Sequence, residues 1–220
     1  MYQYDLHCHT KGVSKCAEVS PEEGAQLYIE AGYSGVVITN HFNHYTFEEM
    51  LGKNSWDDIV DFYLSGWRRF RDAAGTRLTV LLGMEIRFDE NWNDYLVYGV
   101  TEELLRAHPE LPDMDIETFS DFSRENGLLL YQAHPFRDGM CVVNPQLLDG
   151  IETYNGHPYH KSRNDIAMAW AKKHGLMQVS GSDFHHTDGC AMGGILTREP
   201  IRSQEDLLKV LRNDPLLIRK

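Results

Sequence analysis

Short apolar segments alternate along the chain with longer stretches whose apolar positions recur at helical spacing. Residues 35–39 and 79–86 are rich in Val, Leu and Ile and predict buried strands. Residues 55–74 predict an amphipathic helix, and Gly75 ends it. Because strands that alternate with helices form parallel β/α units, the pattern predicts an α/β fold without an internal domain boundary.

The composition is that of a globular protein with an acidic charge balance. The 220 residues are 42% apolar and 25% charged, which is enough for a sizeable core. Lys and Arg number 21 against 33 Asp and Glu, so the net charge is −12. An acidic chain without a basic run lacks the electrostatic footprint of a general nucleic-acid binder, so we expect no nucleic-acid partner. Bound cations would still attract an anionic small molecule.

Other global features indicate the cellular compartment. No apolar run approaches the length of a membrane span, and the first residues lack the pattern of a signal peptide. The four cysteines form no Cys-x-x-Cys pair, so a disulfide framework is not expected. We therefore expect a reduced, cytoplasmic protein that does not contact membranes. The oligomeric state is not predicted by the sequence.

Residues of metal-binding type follow the ends of the predicted strands. In parallel β/α proteins the active site lies at these strand ends, and side chains two apart on a strand share a face. A single histidine there is more often a cap or a core residue, but a whole set at one end of a sheet predicts a metal site. The predicted ligands are His7, His9, His41, Glu85, His134, Asp183 and His185.

This ligand set matches particular ions. Seven side chains, one of them a bridging carboxylate, suffice for two four-coordinate ions, whereas a third would need water or an anion. Imidazole and carboxylate together suit Zn, Mn or Fe. Two or three such ions a few ångströms apart are typical of phosphoester hydrolysis.

Sequence motifs carry a family resemblance over residues 2–197. In the same order as in the polymerase and histidinol phosphatase (PHP) superfamily, the chain contains segments that resemble its motifs. They are 5–10 (Asp-Leu-His-Cys-His-Thr), 38–41 (Ile-Thr-Asn-His), 83–85 (Gly-Met-Glu), 133–135 (Ala-His-Pro), 150–155 (Gly-Ile-Glu-Thr-Tyr-Asn) and 181–185 (Gly-Ser-Asp-Phe-His).

The resemblance implies a fold and a reaction. The fold would be a distorted seven-stranded β/α barrel, a single hydrolase domain over residues 1–220. A hydroxide bound to the metals would attack phosphorus, and Asp183 would act as a catalytic residue that accepts or relays a proton. The resemblance also divides the ligands among three ions: the first held by His7, His9, Glu85 and Asp183, the second by Glu85 and His134, and the third by His41 and His185.

Two departures from the family pattern concern the third ion and the region after Glu85. Family members usually have an Asp or His soon after the first His pair, but residues 11–16 contain no carboxylate. Cys16 could replace the missing ligand as a soft donor, or Lys15 could supply positive charge in its place. The family often has a His soon after the bridging Glu, and here Asp94 is our candidate substitute.

Three residues are predicted to bind substrate: Arg137, Lys15 and Asn155. Arg137 follows His134 in the same loop, where its guanidinium could hold a phosphate or simply form a surface salt bridge. Lys15 has the same two interpretations. Asn155 follows a strand end and is expected to shape the substrate pocket.

We expect a metal-dependent phosphoesterase that acts on a small phosphorylated metabolite. One alternative is an amidohydrolase-like enzyme that uses the same metals on a carbonyl or amide. The other is a metal-binding regulatory module with weakened catalysis, which the missing carboxylate after His9 favours.

Overall fold

The computed structural model describes residues 1–220, which form an α/β fold with two mixed sheets. One sheet has five strands in the order β11-β10-β1-β2-β4, and the other has six in the order β3-β5-β6-β7-β8-β9. The strands are β1 Tyr2–Cys8, β2 Gly35–Ile38, β3 His41–Phe42, β4 Thr79–Leu82, β5 Met84–Ile86, β6 Tyr95–Tyr98, β7 Leu129–Gln132, β8 Gly150–Asn155, β9 Met177–Gly181, β10 Gly193–Thr197 and β11 Leu216–Arg219.

Not all of the pairing is parallel, contrary to the prediction. The pairs β1–β2, β2–β4, β7–β8 and β8–β9 are parallel, but β5–β6 and β6–β7 are antiparallel. The segment between β5 and β6, residues 87–94, contains no helix. A connection without a crossover helix returns the chain in the opposite direction, which accounts for the antiparallel β5–β6 pair.

The predicted strand 79–86 divides at Gly83 into β4 and β5, which belong to different sheets. A Cβ atom at Gly83 would lie 2.7 Å from Val37 Cγ1 and 2.9 Å from Thr39 Cγ2, so only glycine permits this approach. The neighbouring segment divides likewise into β2 and β3. As a result, β3 and β5 pair in register with His41 opposite Glu85.

A second link joins the two sheets beyond the end of β1. Cys8 forms an isolated parallel bridge with Phe184. The amide of Phe184 donates to the carbonyl of His7 (3.2 Å), and the amide of His9 donates to the carbonyl of Phe184 (3.1 Å). This bridge brings the residues that follow β9 next to the end of β1.

Helices begin where the sequence provides caps. The Ser55 hydroxyl accepts from the amide of Asp58, whose side chain accepts from the Ser55 amide in return.

No helix combines the length and the apolar character needed to cross a membrane. The helices are α1 Pro21–Glu30, α2 His44–Phe47, α3 Trp56–Ala74, α4 Glu102–Ala107, α5 Ile116–Glu125, α6 Asn164–His174 and α7 Gln204–Leu211, with 3₁₀ turns at Leu111–Asp113, Pro145–Leu147 and Thr187–Gly189.

Apolar side chains fill the space between the sheets below the strand ends. Leu6, Val37, Leu96, Leu129 and Val179 come from five different strands and pack in one buried cluster. Two other clusters lie under the helices. This packed apolar interior fixes the positions of the strands. The polar side chains that follow the strand ends are therefore held together at one end of the sheets.

Candidate metal centre

The seven predicted ligands converge in one place, although they come from five separate segments. Six of them are at least nine-tenths buried, and His41 is partly exposed. Their side chains form overlapping groups in which every potential ligand atom lies within 4.8 Å of the others. The groups are His7, His9 and Glu85; His7, His134 and Asp183; and His9, His41 and His185.

Glu85 lies at the centre of the cluster. Its Oε1 is 3.2 Å from Nε2 of His7 and 3.2 Å from Nε2 of His134. Its Oε2 is 3.3 Å from Nε2 of His9 and 2.7 Å from Nδ1 of His41. Each carboxylate oxygen thus faces a different pair of imidazoles, which is the arrangement that a bridging carboxylate needs.

Asp183 approaches the same histidines from the other side. Its Oδ1 lies 3.3 Å from Nε2 of His7 and 3.4 Å from Nε2 of His9. The backbone of Asp183 has φ 51°, and that of His134 has φ 28°, so both are in the left-handed region that most residues avoid. Backbone strain of this kind concentrates at functional sites, where the surrounding structure holds it in place.

Buried atoms without hydrogen-bond partners concentrate in this cluster. Leaving a buried polar atom unpaired costs about 1–3 kcal/mol, so native structures rarely do so without a reason. Of six such atoms in the protein, only Gln204 Oε1 lies elsewhere; the other five are His7 Nε2, His9 Nε2, His41 Nδ1, Glu85 Oε2 and His134 Nδ1. His41 Nδ1 and Glu85 Oε2 approach each other to 2.7 Å but without the geometry of a hydrogen bond. A set of imidazole and carboxylate donors with unused lone pairs fits divalent transition-metal ions.

Glu152, which the sequence analysis did not identify as a functional residue, orients two of the histidines. It is buried on β8, and its Oε1 accepts from Nδ1 of His7 at 2.9 Å. Its Oε2 accepts from the backbone amide of His134 and from Nδ2 of Asn155, both at 2.9 Å. A carboxylate on Nδ1 leaves Nε2 of His7 free to bind a metal. The signal in the sequence was an acid inside an otherwise buried strand.

Ser14 and Asn40 orient His9 in the same way. The Ser14 hydroxyl donates to Oδ1 of Asn40 (2.9 Å) and lies 3.0 Å from Nδ1 of His9. Because its single proton is used on Asn40, the hydroxyl oxygen accepts from Nδ1 and leaves the lone pair on Nε2. Asn40, the residue before His41, therefore fixes the orientation of His9 through Ser14.

Charge coupling shifts the pKa values of the cluster in opposite directions. Burial favours the neutral form of His7, but the charges of Asp183, Glu152 and Glu85 outweigh burial and raise its pKa well above the ordinary value. Burial likewise favours a protonated Asp183, but His7 and His185 hold its pKa well below its usual range. Asp183 is therefore held in its ionised form, as a carboxylate metal ligand must be.

Cys16 lies beside two of the histidines. Its Sγ is 3.1 Å from Nε2 of His185. Burial opposes ionisation of the thiol, but hydrogen bonds with His185 and His41 outweigh it and lower the pKa of Cys16 to about 6. The structure therefore brings Cys16 to the edge of the cluster.

Asp94 is buried next to the cluster, but its carboxylate is bound by arginine. Arg87 donates to both of its oxygens, from Nε at 2.7 Å and from Nη2 at 2.9 Å. Oδ2 of Asp94 also lies 3.8 Å from Nε2 of His134. Arg87 was missed in the sequence, where its only signal is its position two residues after Glu85.

The three predicted substrate residues have different surroundings. Arg137 faces the cluster, with Nη1 3.8 Å from Oδ2 of Asp183. Lys15 pairs with Glu48 and lies over the ring of Tyr45, in a smaller pocket that it shares with Cys16 and His41.

Asn155 is buried and its side chain is fully used within the protein. Its Nδ2 donates to Glu152 and to Oδ2 of Asp183 (3.2 Å), and its Oδ1 accepts from the amide of His157 and the hydroxyl of Ser162. Asn155 therefore orients the carboxylate of Asp183.

A cavity of about 740 Å³ opens over the cluster. His41, His134, Asp183 and His185 contribute to its floor. Its remaining lining is rich in cationic and imidazole side chains, namely Arg87, Arg137, Lys161, His157, His160 and His186. A ligand in this space would contact the metal-binding residues and the arginines together.

Several solved structures share the fold at low sequence identity. A two-domain protein of Bacteroides vulgatus that contains a predicted PHP-like metal-dependent phosphoesterase matches with a TM-score of 0.64 and 16% identity, over 99% of this chain and 64% of the other. Endonuclease Q in complex with a 27-mer duplex matches with a TM-score of 0.64 and 13% identity, over 96% and 56%. An amidohydrolase of Chromobacterium violaceum with bound sulfate and no metal matches with a TM-score of 0.58 and 15% identity, over 98% and 97%. This chain thus spans less than two thirds of the first two.

The expectation of no nucleic-acid partner is wrong. Endonuclease Q, which shares the fold, is solved with a duplex substrate whose abasic lesion lies at the active site. A net charge of −12 sums the whole surface, whereas a polyanion responds to the local field at the site. With Arg87, Arg137 and Lys161 around the cavity, the net charge excludes no class of phosphate ester.

A family model that matches nearly the whole chain identifies the family. No curated protein matches the chain significantly. The model of the PHP domain, however, matches residues 5–213. That range contains every strand-end residue of the cluster, and the chain therefore belongs to the PHP domain family.

Proposed function

We propose that this protein is a metal-dependent phosphoric ester hydrolase. The observation that carries the proposal is the buried cluster of imidazoles and carboxylates with unused ligand atoms at the floor of an arginine-lined cavity. Metal ligands and cationic side chains on one cavity suit an anionic substrate better than a neutral amide.

The proposed ligands are the seven side chains of the cluster, and the proposed ions are two or three of Zn, Mn or Fe. His7, His9, Glu85 and Asp183 would hold the first ion, Glu85 and His134 the second, and His41 and His185 the third. The central position of Glu85 between four imidazoles supports its bridging role. Such ions, when bound, acidify water and offset the charge on phosphoryl oxygens.

The protein's own groups have distinct roles in the proposed reaction. Arg137 binds the phosphate of the substrate through its guanidinium, whose planar donors match phosphoryl oxygens. Asp183 holds or relays the proton that the attacking water releases. Asn155 keeps Oδ2 of Asp183 in place, and Glu152 keeps His7 in the tautomer that leaves Nε2 free.

We also propose that the two sheets together form the distorted seven-stranded barrel of a single domain. Each of the divided segments 35–42 and 79–86 continues from one sheet into the other. The bridge between Cys8 and Phe184 links β1 to the segment that follows β9, the edge strand of the six-stranded sheet. Counted this way, the wall consists of β1, β2 with β3, β4 with β5, β6, β7, β8 and β9.

The first test combines metal removal with a substrate panel. The panel contains a phosphomonoester, a phosphodiester, an oligonucleotide duplex with an abasic site and an amide. We expect hydrolysis of at least one phosphate ester, its loss after chelation, and its return with added Mn²⁺ or Zn²⁺. Full activity in metal-free protein, or hydrolysis of the amide alone, would contradict the proposal. The cavity admits either a small phosphorylated metabolite or one exposed nucleotide, and the panel distinguishes them.

A second test concerns Arg137. Replacing Arg137 with alanine removes a charged contact to the substrate phosphate, so we expect KM to rise about tenfold to a hundredfold. Metal content should not change, because no proposed ligand is lost. The control is Arg124→Ala, since Arg124 is exposed on α5 and pairs with Asp121. An unchanged KM in the Arg137 variant would exclude Arg137 from phosphate binding.

A further inference from the structure

Cys16 lies on the loop that covers the end of β1, close to ligand atoms that lack partners. Nδ1 of His185 donates to the carbonyl oxygen of Asp183 at 2.9 Å, because a carbonyl can only accept. The lone pair of the neutral ring is therefore on Nε2, which faces Cys16 Sγ at 3.1 Å. Sulfur and imidazole thus point toward a common space.

Independent observations indicate that this space is built for a cation. Nε2 of His9 is buried and has no hydrogen-bond partner, and the rings of His9 and His185 lie 4.2 Å apart between their centroids. Ligand atoms of His9, His41 and His185 all lie within 4.8 Å of one another. Asp94, whose carboxylate groups with His41 and Glu85, is bound by Arg87 on both oxygens.

We propose that Cys16 supplies a thiolate ligand to the metal ion held by His41 and His185, with His9 at its edge. The proposal rests on the metal cluster of the proposed function and adds a sulfur donor to its ligands. One thiolate with imidazoles favours Zn²⁺ or Fe²⁺ at this position over Mg²⁺ or Ca²⁺, which prefer oxygen ligands. Cys16 also lines the cavity, so the sulfur–metal bond lies where substrate enters.

Cobalt substitution tests the bond directly. The metal-free protein is loaded with Co²⁺, and its absorption is compared with that of Cys16→Ser and of Cys141→Ser, a control at another exposed cysteine. We expect a sulfur-to-cobalt charge-transfer band in the near ultraviolet for the wild type and Cys141→Ser, and its absence in Cys16→Ser. A band of equal intensity in Cys16→Ser, or no band in a cobalt-loaded wild type, would overturn the proposal.

Alkylation of the unmodified chain provides a second measurement that does not depend on folding of a variant. Iodoacetamide labelling of Cys16 and Cys141 is followed by peptide mass spectrometry with and without Zn²⁺. We expect Zn²⁺ to slow labelling of Cys16 at least about tenfold and to leave Cys141 unchanged, because a metal-bound thiolate is a poorer nucleophile. Equal labelling rates at Cys16 with and without Zn²⁺ would contradict the proposal.

The outcomes separate this proposal from the proposed function. If the protein shows the charge-transfer band but hydrolyses no phosphate ester, Cys16 is a metal ligand and the proposed phosphoesterase function is wrong. If the protein is a metal-dependent phosphoesterase but shows no band, the proposed function stands and only histidines and carboxylates bind the metal.

Discussion

Replacing Asp183 with asparagine is expected to lower kcat by about 10³-fold or more, the effect typical of losing a proton acceptor in the reaction. The amide keeps the size of the side chain but loses its charge and cannot accept a proton. Asparagine also tolerates the left-handed backbone at this position, where φ is 51°. The loss would therefore reflect the missing carboxylate rather than a refolded loop. Steady-state kinetics would measure it, and elemental analysis of the bound metal would separate loss of a metal ligand from loss of the proton acceptor.

The matched control for that substitution is Asp121→Asn. Asp121 lies exposed on α5, where it pairs with Arg124, and exposed ion pairs contribute little to stability. We expect kcat and the melting temperature of this control to match the wild type. A kcat within about tenfold of the wild type in Asp183→Asn would exclude Asp183 from proton transfer.

Replacing Glu85 with glutamine is expected to weaken metal binding more than any other single change. Glu85 is buried among four imidazoles at 2.7–3.3 Å, and the amide would remove the charge that we propose bridges two ions. Loss of an outer hydrogen-bond partner of a ligand already costs about 10–100-fold in affinity, so loss of a bridging ligand should exceed about 10²-fold. Titration calorimetry and elemental analysis of the purified protein would measure it.

Because metal bound only to the folded state stabilises it, Glu85→Gln should also lose the rise in melting temperature that added metal produces. Glu49→Gln, at an exposed position after α2, is the control and should keep that rise. A Glu85→Gln protein that retains its full complement of metal would show that Glu85 orients the histidines without binding an ion.

Much of the local structure was predictable because its causes are local. Ser55 with Asp58, and Ser203 at the start of α7, are caps whose hydrogen bonds span three residues. The change of sheet at Gly83 was not predictable, because it depends on how closely Val37 and Thr39 approach a glycine far away in sequence. The antiparallel pairing of β5 with β6 was not predicted either, because it depends on the connection between these strands, which contains no helix.

The amino-acid sequence by itself determined the residue types of the candidate ligands, their order and their position near strand ends, because strand periodicity and motif spacing are properties of neighbouring residues. Only the tertiary structure decided how they meet. It placed Glu85 between four histidines, Glu152 behind His7, and Cys16 against His185, which is 169 residues away along the chain. Such contacts depend on sheet register and on the approach of distant backbones, which local patterns do not specify.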